Sequence, residues 1–219
     1  MKPSSKLIRV ALTMRETQAS GYIEPRDAIA QDWSRWFRAL PLPISPILIP
    51  NDPVLAERLI SDFRPTAIIL SGGNDIGESD ARDTTETKLL ELFPHIPTLG
   101  VCRGMQLLAS ASNWKCVPAP DQEHIASRHS VAWSTEAETL LPQAECRPPS
   151  EVNSYHALLL PADNAPEEWR VVARHADDSA EMIVHRDLPR MGIMWHPERE
   201  EVPREFDVAL FNHLQQLSL

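Results

Sequence analysis

Glycine is scarce in this chain, with seven among 219 residues against twenty prolines, and cysteine is scarcer, with three. Three cysteines (Cys102, Cys116 and Cys146) are too few and too odd for a disulfide framework, and no C-x-x-C pair suggests a zinc site. Long apolar runs are also missing: none approaches the roughly 20 residues needed to cross a bilayer. The opening segment, MKPSSKLIRV, lacks the apolar stretch of a secretory signal, so a cytoplasmic location is expected. Basic residues are in deficit, and the formal net charge of −10 disfavours nucleic acid and anionic membrane as partners.

What is present suits an ordinary folded chain. The apolar share is 42% and the charged share 24%, close to average globular usage. The length fits a single domain over residues 1–219. Short apolar runs alternate with helical patterns. Residues 6–12, 46–50, 66–70 and 98–101 read as strands. Residues 26–40, 52–62, 83–92 and 104–112 read as helices, with Asp52 as an N-cap ahead of Pro53. Continuous apolar strands between helices predict a three-layer, doubly wound, mainly parallel α/β sheet. The second half predicts strands at 131–133, 170–175, 181–185 and 191–195, a mixed or antiparallel extension. A loop at 135–149 and a closing helix at 203–217 complete the expectation.

Three short segments carry chemistry. In PTLGVCRGMQ (97–106) an apolar strand runs into G-x-C-x-G and then into a helical pattern. This is the spacing of a nucleophile elbow, with Cys102 at the tip and glycines where the turn crowds the backbone. The position at a helix N-terminus favours a thiolate, and the Arg103 N–H can face an oxyanion. In GIMWHPE (192–198) a strand ends beside His196, and Pro197 turns the chain so that Glu198 can orient the imidazole. In LSGGND (70–75) a glycine pair follows a strand, and Gly73 N–H is the expected second oxyanion donor. No spacing of metal ligands stands out, so neither metal nor cofactor is expected. His124 and His129 read as loop residues or contacts to a substrate phosphate.

Together the three segments resemble the class I (triad) glutamine amidotransferase superfamily, whose fold is flavodoxin-like. The resemblance implies a cysteine hydrolase acting on a γ-glutamyl amide through a thioester. Cys102 would be nucleophile, His196 base and Glu198 its orienter. It also implies that Gln106 holds the glutamyl group, and that Ser154 and Tyr155, in VNSYH (152–156), lie against its α-amino and α-carboxyl groups. C-R-G and V-N-S-Y-H look like the free-standing γ-glutamyl hydrolase branch. Met14-Arg-Glu, residues 26–33 and Leu40-Pro-Leu-Pro43 resemble bacterial γ-glutamyl-CDP-amidate hydrolases of capsular phosphoramidate synthesis. The implied partner is then a small-molecule, nucleotide-linked γ-glutamyl substrate, with Arg15 and Arg26 as candidates for binding the leaving group's charge. A γ-glutamyl-γ-aminobutyrate-type hydrolase and the glutaminase subunit of a two-component amidotransferase are the alternatives, and a homodimer is left open. One departure stands out: where relatives commonly carry Asp-Gly before a Glu, this chain has Asp177-Asp-Ser-Ala-Glu181.

Overall fold

The structure is a computed structural model that describes residues 7–137 and 147–216. The first half runs β1 (Ile8–Thr13), β2 (Arg15–Gln18), β3 (Pro25–Ala28), α1 (Gln31–Ala39), β4 (Ile44–Ile49), α2 (Pro53–Phe63), β5 (Ala67–Leu70), α3 (Asp80–Leu92), β6 (Thr98–Val101) and α4 (Arg103–Ser110). The second half runs β7 (Val117–Pro118), β8 (Ser127–Ser130), β9 (Ala132–Trp133), β10 (Glu151–Ser154), β11 (Leu158–Leu159), β12 (Trp169–Arg174), β13 (Ala180–His185), β14 (Arg190–Ile193) and α5 (Glu205–Leu214).

Eight strands form the central sheet in the order β4-β1-β5-β6-β14-β13-β12-β9. The first five are parallel, and β13, β12 and β9 continue it antiparallel. This is the flavodoxin-like, mainly parallel sheet with the extension the sequence predicts. The central strands β5 and β6 are buried at every position because both faces of the sheet are covered. Val10 and Leu12 of β1, with Ile69 of β5, pack against Trp33, Trp36 and Phe211 from α1 and α5. Ala11, Ile68 and Leu70 face the other way, toward Ile60, Leu89 and Leu108 of α2, α3 and α4.

Asp52 caps α2 as expected, its carboxylate accepting from Val54 N at 2.9 Å and Leu55 N at 2.8 Å. The expected helix over 26–40 is corrected: residues 25–28 are extended in β3, paired with β2, and helix begins only at Gln31. The extended course is held from outside, since Asp27 accepts from the backbone and side chain of Asn51 at 3.1 and 2.6 Å. The strand expected at 131–133 is β9, Ala132–Trp133, pairing β12, and an unexpected strand, Ser127–Ser130, precedes it and pairs β10. The loop expected at 135–149 falls largely outside the described residues, as does Cys146. No helix among the described residues is long and apolar enough to cross a membrane.

Candidate active site

Two neighbouring parallel strands bring the key segments together. β6 and β14 pair in register, Gly100 opposite Gly192, so Cys102 and His196 emerge at adjacent carboxyl ends. Cys102 N donates to Ile193 O at 2.7 Å, tying the elbow to the neighbouring strand. Cys102 has φ 53 and ψ −109, a strained conformation for a residue with a Cβ, and it caps α4. The elbow fits only because Gly104 is bare: a Cβ there would lie 2.1 Å from the Leu70 carbonyl oxygen.

His196 Nδ1 is 2.7 Å from Glu198 Oε1. Pro197 opens a short 3-10 turn, Pro197–Arg199, that curls the carboxylate back to the ring. Cys102, His196 and Glu198 are all buried. Burial alone would lower the His196 pKa, but the charge of Glu198, the proximity of Cys102 and the hydrogen bond to Glu198 raise it to about 9. His196 Nε2 has no hydrogen-bond partner among the described residues.

The loop after β5 closes the third side. A Cβ on Gly72 would lie 2.7 Å from His196 Cε1 and 3.6 Å from Cys102 Cβ, so Gly72 sits directly against both side chains. Gly73, the residue expected as oxyanion donor, has φ +108 and packs against the Arg15 side chain. Beneath the loop lies a buried polar network that sequence reasoning misses. Arg82 donates to Ser71 O at 2.6 Å and Gly72 O at 3.3 Å, and pairs with Glu86 at 3.3 Å. Arg103 pairs with both Glu86 and Asp83. Thr13 Oγ1 donates to Glu86 at 2.5 Å and accepts from Ser71 N at 3.1 Å. The i,i+4 spacing of Arg82 and Glu86 is the one signal that could have found it.

The remaining candidates divide. Gln106 is buried, donates from Nε2 to Leu158 O at 3.2 Å and leaves Oε1 without a partner. Ser154 is buried and its hydroxyl donates to His124 O at 2.8 Å. Tyr155 stacks edge-on to His196 at 5.7 Å, and the Arg199 guanidinium lies 4.1 Å above the Tyr155 ring. Arg15 reaches the site at Gly73. Arg26 stays on the outer hairpin, paired with Glu24 at 2.5 Å and bonded to the Tyr22 hydroxyl at 2.8 Å. Asn153, unremarked in the sequence, brackets the histidine: His196 N donates to Oδ1 at 2.8 Å, and Nδ2 donates to His196 O at 2.9 Å. Asp178 takes the left-handed conformation (φ 67), and Glu181 is fully buried nearby. His124 and His129, read as loop residues, are buried too, His129 lying in β8, and with His156 they gather around Glu181.

Comparison with known proteins agrees with this fold. The family profile of class-I glutamine amidotransferases matches residues 37–216. The γ-glutamyl-CDP-amidate hydrolase of Campylobacter jejuni subsp. jejuni serotype O:2 is 30% identical over 205 residues, covering 87% of this chain and 90% of that one. A glutamine-hydrolysing GMP synthase subunit of Methanococcus maripaludis is 27% identical over 151 residues, covering 69% and 73%. Among solved structures, a glutamine amidotransferase of Thermotoga maritima superposes with a TM-score of 0.62 at 17% identity, covering 87% of this chain and 76% of that one. The chain belongs to the class-I glutamine amidotransferase family.

Proposed function

We propose that this protein hydrolyses a γ-glutamyl amide bond with Cys102 as nucleophile, His196 as general acid and base, and Glu198 as its orienter. The reading rests on one observation: His196 is 2.7 Å from Glu198, carries a pKa of about 9, and lies against the strained Cys102 elbow. An imidazolium beside a thiol favours the thiolate. The Cys102 thiolate attacks the γ-carbonyl, and the oxyanion takes hydrogen bonds from the N–H groups of Arg103 and Gly73. His196 gives its proton to the departing nitrogen, leaving a γ-glutamyl thioester. His196 then deprotonates a water, which attacks the thioester and releases glutamate and the free thiol. Gln106, Ser154 and Tyr155 hold the glutamyl end.

The favoured substrate is γ-glutamyl-CDP-amidate. The relative from Campylobacter jejuni supports it, and so does the charge around the site. In a chain of net charge −10, Arg15 and Arg199 both stand beside it, and Arg15 has no carboxylate at ion-pair distance among the described residues. The test mixes the purified protein alone with glutamine, γ-glutamyl-γ-aminobutyrate and γ-glutamyl-CDP-amidate and follows glutamate release. Rapid release from γ-glutamyl-CDP-amidate is expected. The GMP synthase relative favours a second reading, a glutaminase that serves a separate synthetase. Turnover of glutamine only after a synthetase is added would establish that reading instead.

A further inference from the structure

Beside the candidate triad, four polar side chains converge from four separate segments: His124 from the loop after β7, His129 from β8, His156 from just beyond β10, and Glu181 from β13. All four are buried, Glu181 completely. Each imidazole uses its outer nitrogen in a hydrogen bond. His124 Nε2 is 2.8 Å from Asp177 Oδ2, His129 Nδ1 is 3.3 Å from Ser130 O, and His156 Nδ1 is 3.1 Å from Leu158 O. A carbonyl oxygen can only accept, and so can an ionised carboxylate, so the outer nitrogens carry the protons. The inner nitrogens, Nδ1 of His124 and Nε2 of His129 and His156, therefore present lone pairs. They lie 4.0, 3.6 and 3.7 Å from Glu181 Oε1. None of the three has a hydrogen-bond partner, and neither does either oxygen of Glu181.

Four acceptors thus face one another with no donor between them. Buried polar groups are normally paired, and such a cluster must be completed from outside. A proton on Glu181 would supply one donor, and a water two. A divalent cation completes all four. Zinc binds imidazole nitrogen at about 2.0–2.1 Å, which puts the donors of a tetrahedral site about 3.3–3.4 Å apart. The distances to Oε1 need contract by about 0.2–0.7 Å to reach that. Three imidazoles with one carboxylate suit zinc rather than magnesium or calcium, which take all-oxygen shells. The Asp177–His124 hydrogen bond is the outer carboxylate contact that commonly orients a zinc-bound imidazole. Asp177 is itself fixed by Ser179 N at 3.0 Å and Ser179 Oγ at 2.6 Å.

We infer that His124, His129, His156 and Glu181 form a closed, four-ligand zinc site with Asp177 behind His124. Four protein ligands leave no open position, so its role is structural. It joins the 124–130 segment and β13 to the segment that carries Asn153, Ser154 and Tyr155, and so holds the wall beside His196. Formation of the site does not depend on the reaction proposed for Cys102.

The experiment is elemental analysis of the purified full-length protein, followed by removal of metal with a chelator and titration with Zn²⁺ or Co²⁺. About one zinc per chain is expected, with the intense visible absorption of tetrahedral Co²⁺ on substitution. Glu181→Gln and His129→Gln should lose the metal. Should either fail to fold, Asp177→Asn keeps all four ligands and should bind zinc about 10- to 100-fold more weakly. Cys102→Ser should keep full zinc and lose hydrolysis, which separates this site from the thiol. A protein that is metal-free as purified and shows no saturable Zn²⁺ binding after titration overturns the inference. So does loss of zinc in Cys102→Ser.

Discussion

Gly72 gives the sharpest test of the candidate site, because a single methyl group decides it. Its φ lies outside the left-handed region, so Gly72→Ala introduces no backbone strain. The new Cβ would stand 2.7 Å from His196 Cε1, while carbon atoms in contact prefer about 3.5–4.0 Å. The ring must therefore move by about 0.8 Å or more. It has little freedom to do so harmlessly. His196 is 2% exposed, its Nδ1 is held by Glu198 at 2.7 Å, and its backbone is bracketed by Asn153. A displacement near 1 Å at a reacting group costs about 10²-fold in rate, whereas overpacking costs about 1–3 kcal/mol of stability. Gly72→Ala should therefore lower kcat/KM for glutamate release about 10²-fold while the variant melts cooperatively and keeps its circular dichroism spectrum. Gly77→Ala is the matched comparison. Its Cβ meets nothing within 4 Å, but its φ of +91 is strained, so it should lose stability and keep activity. Retention of kcat/KM within about threefold in Gly72→Ala would refute the placement of His196 against Gly72.

Glu198→Gln removes the largest influence raising the His196 pKa and leaves burial to lower it. The alkaline limb of kcat/KM, expected near pH 9 in the wild type, should move to lower pH, and the rate at pH 7 should fall. Stability carries the same sign: a histidine whose pKa rises on folding adds stability that is complete below about pH 6.5 and is lost as pH climbs toward 9, so the wild type should lose more Tm over that interval than Glu198→Gln. Asn153→Ala leaves His196 N without a partner inside the core, while His196 O keeps the bond from Arg199 N at 3.2 Å, and urea unfolding should show a loss of about 1–3 kcal/mol. Burial pushes the Cys116 thiol up to about 11, so at pH 8 iodoacetamide should label it roughly 100-fold more slowly than an ordinary exposed thiol, as read by peptide mass spectrometry.

The sheet is legible because its strands are continuous apolar runs: AIIL and TLGV are buried at every position in β5 and β6. The hairpin β2–β3 is not. Ala28 and Ile29 fall at helical spacing from Trp33 and Trp36, and the cue that breaks the helix is Asp27 reaching Asn51, 24 residues away. The candidate triad can be read because each member sits in a short segment whose turn chemistry is local. The departure at Asp177-Asp-Ser-Ala-Glu181 leaves the place of Glu181 open in the sequence, and the structure buries it, with Asp178 in the left-handed conformation that aspartate tolerates better than most residues.

What cannot be read is the packing behind those segments, and its two halves differ in kind. Under the loop after β5, each buried charge has an opposite one: Arg82 meets Glu86, and Arg103 meets Glu86 and Asp83. Breaking such a set by removing one partner costs about 3–5 kcal/mol, so it fixes α3 to the start of α4. The histidines around Glu181 are equally buried but present acceptors alone toward it. One chain that pairs every charge in the first cluster and leaves four lone-pair groups facing one another in the second has left room there for something other than itself. The difference lies in which atoms the fold brings face to face, and no spacing along the sequence records it.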